Sequence, residues 1–118
     1  MSKLAITIYH NPRCSKSRQT LQLIRDSGTE PTVVEYLKTP PSHDELDGVL
    51  KKLKLEPMEL MRRKESVFRD LGLASKELSR EDAIDVMLEN PVLIERPIVI
   101  KGRNAIIGRP PENVQELL

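Results

Sequence analysis

The chain has 118 residues, 38% hydrophobic and only 3% aromatic, so a single domain with one aliphatic core is the expectation. Nineteen Lys and Arg against 18 Asp and Glu leave a formal charge of +1, which argues against a general nucleic-acid binder but leaves room for a few arginines gathered at one point. No apolar run reaches the ~18 residues of a membrane span, Met1–Ile8 lacks the stretch and cleavage site of a signal peptide, and the single cysteine excludes both an internal disulfide and a multi-cysteine zinc site, which makes the cytoplasm the expected compartment.

In chain order, Ile6–Tyr9 reads as a first strand, and the turn His10-Asn11-Pro12-Arg13 delivers Cys14. Ser15–Ser27 reads as a helix, with Leu21 and Ile24 on one face and Gly28 as the residue just past its end. Pro31–Leu37, carrying Val33, Val34 and Tyr36, is the expected second strand, parallel to the first through a right-handed crossover. After Pro40-Pro41, Ser42 and Glu45 form a capping box, and Leu46, Val49, Leu50 and Leu53 continue it as an apolar helical stripe. Pro57 opens a short helix reaching Met61-Arg62. Ser79 and Asp82 resemble a second capping box, followed by Ile84, Met87 and Leu88 on a buried face. Residues 42–91 thus read as a helical insert. Ile98–Ile100 and Ala105–Ile107 pair as a hairpin around Lys101-Gly102-Arg103-Asn104, and Glu112–Leu118 reads as a last helix. The predicted order is βαβ–ββα, an α/β thioredoxin-like topology with a helical insert between strands 2 and 3, and one domain over residues 1–118.

Cys14 falls between a strand and a helix. At a helix N-terminus, unpaired N–H groups and the helix dipole favour a thiolate and a bound oxyanion alike. Arg13, Lys16 and Arg18 add positive potential. A Cys-x5-Arg phosphatase loop is absent, because position 20 is Thr20, and a dithiol motif is absent, because Ser17 stands where a second cysteine would. In a thioredoxin-like layout a cis-proline opens the third strand beside the cysteine. Pro97 occupies that place, with Arg96 before it directed at the thiol. On residue type alone Arg62 and Arg109 read as surface arginines, and His10 as a turn residue or a helper of the thiolate. His43, just past a cap, is expected to face solvent.

Several segments together resemble the ArsC family of glutaredoxin-dependent arsenate reductases. They are Ile8-Tyr9-His10-Asn11-Pro12-Arg13-Cys14-Ser15-Lys16-Ser17-Arg18, Gly28-Thr29-Glu30-Pro31 through Leu37, Leu60-Met61-Arg62, Arg69–Leu73, Pro91–Ile98 and Gly108-Arg109-Pro110. The resemblance implies Cys14 as the catalytic nucleophile, His10 as its assistant, and Arg62, Arg96 and Arg109 as the anion ligands, with Pro97, Ser15 and Ser17 structural at the site. Arsenate carries about one to two negative charges near neutral pH, and guanidinium groups offer paired donors matched to its oxygens. The implied partners are arsenate, glutathione as co-substrate and glutaredoxin. No bound cofactor, metal, nucleic acid or membrane is expected, and the chain is expected to be monomeric. Two other readings share the fold and the thiol. One is an Spx-like transcription regulator binding RNA polymerase, which commonly carries Cys-x-x-Cys and lacks the arginine that falls on Arg109. The other is a thiol reductase with a different substrate.

Overall fold

Ile6–Tyr9 forms β1, and its two-residue alternation sends Ile6 and Ile8 into one buried face. The computed structural model describes residues 5–118, so the first four residues of the N-terminal run lie outside it. The described chain divides into two compact units, residues 5–39 with Arg96–Leu118, and Pro40–Glu95.

In the first unit, α1 (Ser15–Asp26) buries Ser17, Thr20, Leu21 and Ile24, a spacing that keeps one stripe inward. It stops where expected: Gly28 sits at φ +91° and its N–H donates to the Arg25 carbonyl at 2.9 Å. Strand β2 (Thr32–Val34) is shorter than the predicted Pro31–Leu37. The N–H groups of Lys38 and Thr39 both donate to the Glu35 carbonyl at 2.9 Å, so a turn captures the backbone that a longer strand would need. Tyr36, whose β-propensity suggested strand, is a fully buried turn residue instead. Strands β3 (Ile98–Lys101) and β4 (Asn104–Ile107) make the expected hairpin, but Lys101 and Asn104 pair across it and leave only Gly102 and Arg103 in the turn.

Among the described residues the strands form one sheet in the order β2–β1–β3–β4. Strand β1 runs parallel to β2 and antiparallel to β3, with Ile8 opposite Val99. That register puts Ile6, Ile8 and Val99 on the face covered by Leu21 and Ile24 of α1 and by Val114, with Leu23, Ile106 and Leu117 at the margin. Each fully buried aliphatic side chain there contributes about 1.5–3 kcal/mol. The final helix is a 3-10 helix, Pro111–Glu116, rather than the α-helix expected over Glu112–Leu118. Its inward residues, Pro111 and Val114 and then the partly buried Leu117, recur every third position, which is the 3-10 period.

The second unit is helical. Ser42 caps α2 (His43–Leu53): its Oγ accepts the Glu45 N–H at 3.1 Å, and Glu45 Oε1 accepts the Ser42 N–H at 3.1 Å. Leu46, Val49 and Leu50 point inward, while Leu53 is half-buried. The short helices α3 (Pro57–Leu60) and α4 (Ser66–Asp70) and a 3-10 turn, Leu73–Ser75, precede α5 (Arg80–Glu89). Ser79 Oγ caps α5 through the Asp82 N–H, but the Asp82 side chain does not complete a box. The buried face of α5 is Ala83, Ile84 and Met87; Leu88, expected there, is only half-buried. A second 3-10 turn, Pro91–Leu93, follows, and Met61 bridges Ile94 in antiparallel fashion. Arg80 Nε donates to Asp47 Oδ1 at 2.7 Å, tying α5 to α2. Among the described residues no helix is long and apolar enough to cross a membrane.

Candidate functional site

Cys14 is the N-cap of α1, with extended backbone (φ −93°, ψ 121°). Its N–H donates to the Asn11 carbonyl and its carbonyl accepts the Arg18 N–H, both at 3.0 Å, so the loop that delivers it is closed on itself. The side chain is 9% exposed. Burial is the largest influence on its ionisation and pushes the thiol up. The N–H of Ser17, the Arg96 guanidinium by hydrogen bond and by charge, and the N–H of Lys16 oppose it, and the balance falls below the ordinary thiol value. The charge that acts on the sulfur is thus that of Arg96, from the far end of the sequence. Of the nearby basic residues, Arg18 turns away, and its Nη1 donates to the Pro12 carbonyl at 2.9 Å.

Arg96 is placed by Pro97. The Arg96–Pro97 bond is cis, as expected, and the Pro97 carbonyl accepts the Gly108 N–H at 2.9 Å. Gly108 is there because nothing larger fits. A Cβ on it would lie 2.6 Å from Thr20 Oγ1 and 2.9 Å from Pro97 Cγ. Thr20 hangs from α1, its hydroxyl donating to the Lys16 carbonyl at 2.8 Å. The helix that carries Cys14, the proline that carries Arg96 and the strand end that leads to Arg109 therefore meet at one close contact. Arg109, half-buried, precedes a second cis bond, to Pro110, that nothing in the sequence signalled. Its N–H donates to the Ile107 carbonyl at 2.9 Å, and its carbonyl accepts from Asn113 Nδ2 at 3.1 Å.

His10 is buried, 2.6 Å through Nδ1 from Ser17 Oγ, and the same oxygen accepts the Asn11 N–H at 3.0 Å. The Ser17 oxygen has a second lone pair beside the one that Asn11 uses, so it either accepts the Nδ1–H or donates to Nδ1 according to the ring tautomer. Burial lowers the His10 pKa; Glu35 opposes that, and Arg25 and Arg18 reinforce it. The imidazole is accordingly a neutral base. Ser17 is fully buried and joins His10 to the first turn of α1, whereas Ser15 is exposed at the start of that helix. Beside this loop lies a cavity of about 290 Å³ lined by His10, Pro12 and Arg13 and, from the turn after β2, by Glu35, Leu37 and Lys38.

Arg62 belongs to the second unit. Its Nη1 donates to Glu95 Oε1 at 2.8 Å and its Nε to Glu65 Oε1 at 3.3 Å, and its N–H donates to the Leu93 carbonyl at 2.7 Å. Neighbouring Arg63 differs: it is exposed, with its guanidinium 5.8 Å from the centre of the Phe68 ring. His43, expected to face solvent, is instead 31% exposed and bridges two carboxylates of α5, Glu81 at 2.5 Å and Asp85 at 2.9 Å. Nothing local signalled the Arg62–Glu95 and His43 pairings, or the Thr20–Gly108 contact, because each joins residues distant in sequence. Among the described residues no group of three or more His, Cys, Asp or Glu side chains is arranged to hold a metal ion.

A profile of the ArsC family matches residues 9–117. The Escherichia coli K12 protein YfgD is 51% identical over 114 residues, 96% of each chain. The arsenate reductase of the same organism is 45% identical over 113 residues, which cover 96% of this chain and 80% of that one. Among solved structures, the arsenate reductase from Vibrio cholerae matches with a TM-score of 0.94 at 45% identity, covering 99% of this chain and all of the other.

Proposed function

The chain belongs to the ArsC family and has its thioredoxin-like α/β fold, and from that premise we propose that it is an arsenate reductase drawing its electrons from glutathione and glutaredoxin. The observation that carries the reading is the Cys14–Arg96 pair at the head of α1: a stabilised thiolate beside a guanidinium able to hold an oxyanion. Cys14 attacks arsenic and water departs, with Arg96 and Arg109 as anion ligands from the first unit. Arg62, the third arginine that the family resemblance assigns to the anion, is held ready in its own unit by Glu65 and Glu95. Reduction needs two thiols. The chain supplies one cysteine, so the second thiol comes from outside. In balance, arsenic acid, the Cys14 thiol and the external thiol give arsenous acid, a mixed disulfide on Cys14 and water. Arsenic gains the two electrons that the two sulfurs lose; the Cys14 thiol proton leaves in the water, and that of the external thiol ends on the arsenous acid. Glutaredoxin then restores Cys14. No bound cofactor or metal enters this scheme, and a monomer in the cytoplasm suffices for it. The regulator reading loses ground to Ser17, which leaves no dithiol switch, and to the presence of Arg109.

The test is arsenate-dependent NADPH oxidation with glutathione, glutathione reductase and glutaredoxin, run for the wild type and for Cys14→Ser, Arg62→Ala, Arg96→Ala and Arg109→Ala. Turnover abolished by Cys14→Ser and by omitting glutaredoxin supports the reading. A folded wild type with a reactive Cys14 and no turnover overturns arsenate as substrate. An arginine variant with wild-type kinetics removes that arginine from the anion site.

A further inference from the structure

We propose that the cavity beside the Cys14 loop is the seat of the external thiol, and that it selects a small peptide thiol bearing both carboxylate and ammonium groups. This rests on the thiol-dependent reading above, which requires a second sulfur to reach Cys14 but does not say where it binds.

Three properties of the cavity fit that ligand. The loop residues that line it, His10, Asn11, Pro12 and Arg13, immediately precede Cys14 in the chain. Its volume, about 290 Å³, suits a small molecule at the lower end of the usual range of ligand pockets. Its charges are mixed: Arg13 and Lys38 offer two cations for a carboxylate, and Glu35 offers an anion for an ammonium, with Leu37, 43% exposed, as an apolar wall. Glu35 repels a fully ionised oxyanion but attracts an ammonium group. Glu35 and Lys38 lie 3.6 Å apart and are both well exposed, so their mutual pairing is weak and readily exchanged for the charges of a ligand.

His10 completes the arrangement. The incoming thiol attacks as its thiolate, so a base must take its proton. His10 lines the cavity and its Nδ1 is held by Ser17; with the ring proton on Nδ1 and donated to the Ser17 oxygen, Nε2 is the nitrogen that takes a proton from a ligand. The step starts from arsenate joined through arsenic to Cys14 Sγ, one water having already left. The thiol sulfur bonds to Cys14 Sγ and the S–As bond breaks. Its electron pair goes to arsenic, which passes from the +5 to the +3 state and departs as arsenous acid, and Cys14 is left as a mixed disulfide with the peptide thiol. The thiol proton ends on the arsenous acid. His10 relays that proton.

The experiment needs no arsenate. Reduced protein is mixed with glutathione disulfide or with the neutral 2-hydroxyethyl disulfide, and the rate of Cys14 modification is followed by intact mass. Lys38→Glu, a change at a highly exposed position, is expected to lower the ratio of the glutathione rate to the neutral-disulfide rate about tenfold through reversal of one charge. Arg13→Glu is expected to act in the same direction. Ratios equal to that of the wild type in both variants overturn the subsite. In the coupled assay the same variants are expected to raise KM for glutathione relative to KM for arsenate. If the wild type reduces no arsenate, the arsenate reading fails while the disulfide ratios still decide the subsite.

Discussion

The Arg96 guanidinium hydrogen-bonds the Cys14 thiol, joining the residue before a cis-proline to the N-cap of a helix on the far side of the sequence. Arg96 supplies both a donor and a charge to the thiolate, so Arg96→Ala is expected to raise the Cys14 pKa and to lower kcat/KM for arsenate by ~10²-fold or more. Arg96→Lys should recover only part of each effect, because an ammonium is a point charge without the planar fork. The pH dependence of the alkylation rate reads the first effect directly. A midpoint that does not move in Arg96→Ala would remove Arg96 from the thiolate's support.

Ser17 and His10 form a second pair on which the loop depends. Ser17→Ala leaves His10 Nδ1 without its hydrogen-bond partner and the Asn11 N–H without its acceptor, which costs about 1–3 kcal/mol for each unsatisfied group. The expected outcome is a lower denaturant midpoint at unchanged slope, together with slower reaction of Cys14 with thiol-bearing ligands as the proton acceptor loses its orientation. A Ser17→Ala protein as stable as the wild type would show that the hydroxyl is incidental.

What the sequence made legible was what local rules decide. Ser42 with Glu45, Gly28 after α1, the hairpin around Gly102 and the strand–loop–helix setting of Cys14 each depend on a few consecutive residues and were found where expected. The misreadings have a common cause in tertiary packing. Tyr36 is buried in a turn whose hydrogen bonds outweigh its β-propensity, and the segment from Pro111 takes the 3-10 form its three-residue period suits. Helix α4, five residues long, is too short to show a period. For the site, Cys14, Arg96 and Pro97 were visible from topology. Arg62 read on residue type alone as a surface arginine, and its setting differs from that of Arg63 through Glu65, Glu95 and Phe68, which local rules do not place.

The two histidines should give opposing pH dependences. Burial holds the His10 pKa below its ordinary 6.5, so as pH falls from that value through the folded one the unfolded chain takes up a proton that the native chain resists, and stability is lost. The pKa of His43 is raised, first by its hydrogen bond to Asp85 and, against burial, by Glu81. Its contribution is therefore fully present below 6.5 and is lost as pH rises through the folded value. His43→Gln removes only the second contribution, so its stability should fall more steeply than that of the wild type between about pH 7.5 and 5.5. Denaturant midpoints at the two pH values measure this, and parallel losses in both proteins would mean that the Glu81–His43–Asp85 bridge is not coupled to folding.

Gly108 offers the sharpest packing test, because its neighbours are known atom by atom. A methyl group there meets Thr20 Oγ1 at 2.6 Å, Pro97 Cγ at 2.9 Å and Thr20 Cγ2 at 3.0 Å, all tighter than ordinary Cβ contacts. Either α1 or the Pro97 loop must yield, and overpacking of this kind costs about 1–3 kcal/mol. Gly108→Ala is expected to lower the stability to unfolding by that amount. Because Arg96 rides on the Pro97 loop, it should also raise the Cys14 pKa toward the Arg96→Ala value. Adding Thr20→Ala removes two of the three close contacts, so the double variant should be more stable than the sum of its single changes predicts, with the Cys14 pKa moving back down. A double-mutant cycle read by unfolding and by alkylation rate separates the two effects. Strict additivity in both readouts would mean that the Thr20–Gly108 contact does not set the position of Arg96.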